Sequence, residues 1–270
     1  MKDYITNNAK WVRLYDVEAE TKTVKRILEK MNKIDSIKSI LDVGCGSGRS
    51  IDLINHIFDT STAIVGIDKQ EANVRYCKSL NFDNTQVYWV DAFDYLAENE
   101  NSNRFDLILF SWSFFDMVNE PQEDKKVKLL RTLIYQAKEC LTHNGLIIVL
   151  QPTKGGLFEQ FLSLFMPGSG DDYLLIHRTL IELGFKGAKT AFPKQSDVFA
   201  IWSRFIFDNI DDLYCGVESI LYLEQRRTLN YETFLLTWNN FIDKHREIVP
   251  TNDQLSLTDC VNLYYMERNA

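Results

Sequence analysis

The sequence predicts a doubly wound α/β fold. The expected sheet is mostly parallel and seven-stranded, with helices on both faces, an N-terminal helix and a helical insertion before the last strand. Three observations predict it. Short apolar segments alternate with amphipathic ones as far as residue 150. One of these apolar segments runs directly into a glycine-rich turn. A chain of 270 residues, 45% hydrophobic and 25% charged, is also large enough to bury a substantial core.

Residues 17–31 read as a helix with Val24, Ile27, Leu28 and Met31 as its apolar stripe. Residues 39–43 form a short apolar strand, and 50–58 a helix with Ile51, Ile54, Ile57 and Phe58 on one face. Strands follow at 63–67, 86–90, 105–110 and 146–150, separated by helices at 70–80, 92–98 and 126–141. Such alternation indicates parallel pairing with helices on both faces. Ligands of these sheets bind at the carboxyl ends of the strands. Further on, 157–166 and 173–183 read as helices, the second closed by Gly184. Residues 185–192 and 260–266 read as strands, and 213–225 and 231–245 as helices. The span from about 198 to 250 is therefore expected to be a helical insertion.

The net charge is -8. An acidic surface repels phosphate backbones, so nucleic acid is not an expected partner. The one dense basic stretch, Lys125, Lys126 and Lys128, adjoins Glu123 and Asp124 and reads as a solvated helix face. The five cysteines contain no CxxC pair, which points to a reducing compartment. The N-terminus lacks a signal peptide's apolar core. No segment reaches the roughly 18 apolar residues of a membrane span. A cytoplasmic protein without a membrane partner is expected. The four histidines and the cysteines show no metal-ligand spacing, so no metal is expected.

The sequence Asp42-Val43-Gly44-Cys45-Gly46-Ser47-Gly48-Arg49 ends a strand and opens a helix. Glycine at every second position allows tight turning and close approach to a ligand. A dinucleotide fingerprint needs GxGxxG, and Arg49 stands where its third glycine belongs. A phosphate-binding loop needs Gly-Lys-Ser/Thr, and Gly48-Arg49-Ser50 has no lysine. Asp42 at the strand end repels a pyrophosphate and suits a cationic ligand.

This segment resembles motif I of the class I, Rossmann-like, S-adenosylmethionine-dependent methyltransferases, Asp/Glu-x-Gly-x-Gly-x-Gly. The resemblance covers residues 39–152. It implies S-adenosylmethionine as cofactor, S-adenosylhomocysteine as product, and cofactor contacts from Asp42, Gly44, Cys45, Gly46 and Gly48. Asp68, about 20 residues past the loop, is placed to accept both ribose hydroxyls; Lys69 adjoins it. In the family a residue like Asp91 accepts from the adenine amino group, and the next backbone N–H, here that of Ala92, contacts the ring. The lesser alternative for Asp91 is a cap on the helix after it. On this reading one domain spans 1–270. Its parts are a lid at 1–35, a cofactor-binding half at 36–152 and a substrate-side half at 153–270.

The fourth strand runs on through Ser111, Trp112, Ser113, Phe114, Phe115 and Asp116. Ser111 and Trp112 are expected beside the sulfonium. The Asp/Asn-Pro-Pro-Tyr/Phe motif of nucleic-acid amino-methyltransferases is absent here, as is the cysteine of the cytosine enzymes. Trp112, Phe114 and Phe115 form either an aromatic wall for a cation or part of the core. Asp116 either orients an amine or caps a helix. Catalytic candidates are Trp112, Asp116 and His177, the last as a general base. Acceptor contacts are expected from Phe115, Gln151 and two aromatic residues of the N-terminal segment, Tyr4 and Tyr15. The apolar stretch after Lys154-Gly155-Gly156 either lids the pocket or packs as core. The helical insertion resembles the layout of histamine-type amine N-methyltransferases. Methyl transfer to nitrogen or oxygen of a small molecule is the expected function. The alternatives are a protein or peptide methyltransferase and a non-catalytic S-adenosylmethionine-binding protein.

Overall fold

The computed structural model describes residues 17–98, 102–118, 120–152, 156–166, 169–187, 200–207, 210–225, 227–245 and 255–268. Tyr4 and Tyr15 lie outside these residues, as do 188–192 of the strand expected at 185–192.

The strands are β1 (Ser39–Val43), β2 (Ala63–Asp68), β3 (Thr85–Trp89), β4 (Phe105–Ser111), β5 (Leu141–Pro152), β6 (Lys186–Gly187), β7 (Ala200–Phe207) and β8 (Leu255–Glu267). The helices are α1 (Glu18–Lys30), α2 (Arg49–Asn55), α3 (Glu71–Ser79), α4 (Ala92–Ala97), α5 (Phe114–Met117), α6 (Glu123–Cys140), α7 (Leu157–Ser163), α8 (Ser169–Glu182), α9 (Ile210–Gln225) and α10 (Tyr231–Lys244). Seven strands follow the path β3-β2-β1-β4-β5-β8-β6, and β7 also pairs with β8. β1 to β5 are mutually parallel, and β8 runs antiparallel to β5. The expected mostly parallel, doubly wound sheet is present. Winding reverses between β1 and β4, which places the switch point where the glycine turn leaves β1.

Alternation of side chains divides the core. One face carries Leu41, Val43, Ile108, Phe110, Ile147, Val149 and Tyr264, covered by residues of α4, α6 and α8. The other carries Ile40, Ile64, Leu107, Leu109, Ile148 and Leu263, covered by α1 and α2. Val24, Ile27 and Leu28 of α1 are buried there as predicted. Burying each such side chain is worth roughly 1.5–3 kcal/mol, enough to fix α1 to the sheet. A third cluster joins α7 to α9 and α10 through Phe161, Phe165, Phe234, Trp238 and Phe241. The stretch after the Lys154-Gly155-Gly156 joint therefore packs as core through Leu157, Phe161, Phe165 and Met166.

Two elements differ from expectation. The span 198–250 holds α9 and α10, but it also holds the strand β7, paired with 255–262 of β8. β6 and β7 run in the same direction along successive stretches of β8, as two segments of one sheet edge. In addition, β5 begins at Leu141 rather than at 146, so His143-Asn144-Gly145 lies within the strand. It forms an irregularity there, since Phe105 pairs with Leu141 and Leu107 with Leu146.

Candidate active site at the carboxyl ends of the strands

The three glycines of the turn all have positive φ: +74° at Gly44, +53° at Gly46 and +94° at Gly48. Each serves a different need. A Cβ on Gly44 would lie 2.5 Å from the Ser113 Cβ and 2.7 Å from the Met117 Cε, so this glycine lets α5 pack onto the turn. A Cβ on Gly46 would meet nothing within 4 Å. Gly46 is thus the open cradle of the loop, with space for a ligand against its backbone.

Asp68 ends β2 and fixes that cradle. Its Oδ2 accepts from Gly46 N at 2.9 Å, and its Oδ1 from Gln70 N at 2.8 Å. A carboxylate offers about four lone-pair sites, and Asn73 donates as well, so acceptor capacity remains for about one hydroxyl. Desolvation raises the Asp68 pKa; the bonds from Gln70, Gly46 and Asn73 and the Lys69 charge offset this only in part. Lys69 Nζ reaches across to the Asp116 carbonyl at 3.0 Å, joining the ends of β2 and α5. The Asp116 side chain sits inside α5, so it is not a helix cap. Its surface is solvent-accessible, yet it lies in a dense crevice beside Lys69 and Asp68. Desolvation raises its pKa, Lys69 lowers it and Asp68 raises it. The accessibility limits how far desolvation can act there.

Asp42 is fully buried. Ser50 Oγ donates to its Oδ2 at 2.5 Å, while its Oδ1 has no partner. Burial pushes its pKa up to about 7, against the Ser50 bond and the Arg49 charge; Asp68 adds to the rise. Asp91 does cap α4: its Oδ1 accepts from Phe93 N at 2.8 Å. Ala92 opens that helix and is buried. The Cys45 side chain turns away from the cradle. It packs under Gly66 and against Cys77, and that thiol–thiol bond, followed by burial, holds its pKa well above the usual value.

A buried network missed by sequence reasoning adjoins the loop. Arg49 Nη1 donates to Glu20 Oε2 at 2.8 Å, and Arg49 Nη2 to Ser111 Oγ at 2.7 Å. Trp112 Nε1 donates to Glu20 Oε1 at 3.1 Å, and the Arg49 guanidinium lies 5.4 Å from the Trp112 ring centroid. Trp112 has φ +59° and bridges the second and third core clusters. Ser111 and Trp112 are thus at the end of β4 as predicted, but already engaged with Arg49 and Glu20. A signal was available: Glu20 continues the Val24, Ile27, Leu28 stripe, and a carboxylate on a buried face needs a partner.

Phe114 is core, stacked on Phe110 at 4.6 Å, while the half-buried Phe115 meets Tyr173 at 5.8 Å. Gln151 is 2% exposed at the end of β5, and neither of its amide atoms has a partner. His177 Nδ1 is 2.7 Å from the Tyr264 hydroxyl, and burial lowers its pKa. The structure therefore brings Asp42, Gly44, Gly46, Asp68, Lys69, Ser111, Trp112 and Asp116 together. It sets His177 on α8, on the flank of the sheet. Among the described residues no group of His, Cys, Asp and Glu has the arrangement of a metal site, and no helix is long and apolar enough to cross a membrane.

Residues 34–166 match the family model of a methyltransferase domain. No curated protein matches the chain by sequence. A proposed methyltransferase from Bacillus halodurans C-125 is 13% identical, with 91% of this chain and 99% of that one covered and a TM-score of 0.50. A SAM-dependent methyltransferase from Archaeoglobus fulgidus is 17% identical over 92% and 94%, TM-score 0.45. The plantazolicin methyltransferase BpumL, solved with SAH, is 15% identical over 99% and 88%, TM-score 0.48. At these identities the likeness is one of fold. Residues 34–166 thus carry a methyltransferase domain, and the chain has the Rossmann-like fold of the methyltransferases it resembles.

Proposed function

We propose that the enzyme methylates a nitrogen or oxygen of a small-molecule acceptor, with the donor held by the glycine turn, Asp42, Asp68 and Asp91. One observation carries this reading. Buried polar atoms without partners gather at one end of the sheet: Asp42 Oδ1, Ser47 Oγ, Ser113 Oγ and both amide atoms of Gln151. Buried polar groups are normally satisfied, so such a concentration marks where a polar ligand completes the bonding.

The residues fit the donor. Gly46 leaves room along its backbone, Asp68 retains acceptor capacity for a ribose, and Asp91 keeps one oxygen beyond its cap. Asp42, Asp68 and Asp116 give the end of the sheet a negative potential that suits a sulfonium and an ammonium. When bound, S-adenosylmethionine supplies an electrophilic methyl group on a cationic sulfur. The acceptor lone pair forms the new bond to that carbon as the carbon–sulfur bond breaks and its electrons return to sulfur. An amine arriving neutral then sheds its proton to water. The chain's task is chiefly alignment and exclusion of water. The buried Trp112–Glu20–Arg49 network holds the floor of the site rigid for it. His177 Nδ1 is committed to Tyr264, which does not favour a direct general-base role.

Calorimetry with S-adenosylmethionine and S-adenosylhomocysteine tests the donor site. Asp68→Ala is expected to weaken binding by about tenfold or more, the loss of a charge-assisted hydrogen-bond pair. Unchanged affinity would remove Asp68 from the site. A screen with labelled donor against small amines, phenols and peptides tests the acceptor. Transfer to peptides alone would favour the peptide reading.

A further inference from the structure

Gln151 and Asn262 are register partners on adjacent antiparallel strands, so their side chains share one face of the sheet. This is the face of Val149 and Tyr264, and the two amides extend it toward the carboxyl end of β5. Both are buried, at 2% and 4% exposure. They form no hydrogen bond with each other. Asn262 Nδ2 donates to the Tyr264 hydroxyl at 3.1 Å, and that hydroxyl lies 2.7 Å from His177 Nδ1. The Asn262 amide is thus turned with its nitrogen toward Tyr264. Gln151 has both amide atoms without partners.

We infer that Gln151 and Asn262 recognise the methyl acceptor, and that the acceptor carries a neutral carboxamide or peptide-like group beside its nucleophilic atom. This deepens the small-molecule reading and rests on it. The chemistry of the pair makes the choice. Gln151 offers an N–H donor group and a carbonyl acceptor in one plane, with the Asn262 amide beside it, and a carboxamide complements them with its own C=O and N–H. A plain amine leaves the Gln151 donor unmet. A carboxylate cannot donate to either amide oxygen. Tyr264 and His177 act as positioning residues, setting the orientation of the Asn262 amide from behind.

The full-length enzyme with labelled S-adenosylmethionine tests this on three matched acceptors: an amino-acid amide, the same amino acid with a free carboxylate, and the amine lacking either group. The amide is expected to exceed both others in kcat/KM by at least about tenfold, as when a site's buried polar groups are left unpaired by the wrong substrate. Gln151→Met and Asn262→Leu should erase that preference, while Tyr264→Phe should raise KM for the amide more than it lowers kcat. Gln151→Glu, isosteric, should also lose the preference in a variant that still binds S-adenosylhomocysteine. S-adenosylhomocysteine affinity should stay unchanged in every variant. Equal use of the three acceptors, no transfer to the amide by wild type that binds S-adenosylhomocysteine, or a preference surviving both Gln151 variants would overturn the inference. Failure of wild type to bind S-adenosylhomocysteine would instead strike the proposed donor site.

Discussion

Glu20 is the residue whose removal should most damage this fold per atom lost. Its side chain is fully buried, one oxygen accepting from Arg49 and the other from Trp112. Arg49 is itself only 6% exposed. Glu20→Ala leaves a buried guanidinium short of its carboxylate and an indole N–H short of its acceptor. Deleting one partner of a buried pair costs roughly 3–5 kcal/mol, because the remaining charge stays desolvated. For a chain of this size each kcal/mol lowers Tm by about 2–4 °C, so a drop on the order of 10 °C is expected. Thermal unfolding followed by circular dichroism reads this directly. The companion variant Glu20→Met/Arg49→Leu removes both charges and refills the space with apolar atoms, and it should recover most of the loss. The reasoning is refuted if Glu20→Ala shifts Tm by less than about 2 °C. It is refuted equally if the double variant is as unstable as the two single losses combined.

The glycine turn and Asp42 give two further expectations. Gly44→Ala forces a Cβ to within 2.5 Å of Ser113 at φ +74°, so it should destabilise the fold by about 2–4 kcal/mol in denaturant unfolding. Gly46→Ala meets open space, so it should lose about 1–2 kcal/mol of stability but most of the donor affinity measured by calorimetry. For Asp42 the folded pKa of about 7 stands above the ordinary carboxyl value of 3.8, so the folded state binds its proton more tightly. Its contribution is fully present below about pH 4 and is lost as pH rises to about 7, an amount on the order of 4 kcal/mol. Asp42→Asn should flatten the stability profile across that window, and an unaltered slope would count against the burial argument.

Much of the sheet could be read locally. Ser39–Val43 is bounded by polar residues and a glycine turn, and Asp91 stands before an apolar helical run, so strand and cap follow from neighbours in sequence. What escaped depends on contacts far along the chain. β7 has no strict alternation and becomes a strand by pairing with residues 255–262, beyond two helices. The roles of Gln151 and Asn262 exist only once β5 and β8 are in register. Glu20 looks like an ordinary polar helix residue until Arg49 is folded against it.

The raised pKa values at Asp42, Asp68 and Asp116 have a common logic. Asp42 is fully buried and Asp68 partly so, Asp116 stands more open beside them, and repulsion from Asp68 raises both Asp42 and Asp116. A chain selected for stability alone would replace such groups with apolar ones, since desolvated charges contribute little. Their convergence around an open glycine cradle is better understood as a site completed by a cation. A ligand with a sulfonium and an ammonium supplies positive charge against these carboxyls. Binding should therefore lower the Asp42 pKa from about 7 and expel its proton near neutral pH, so that the group that weakens the unliganded fold as pH rises strengthens the liganded one.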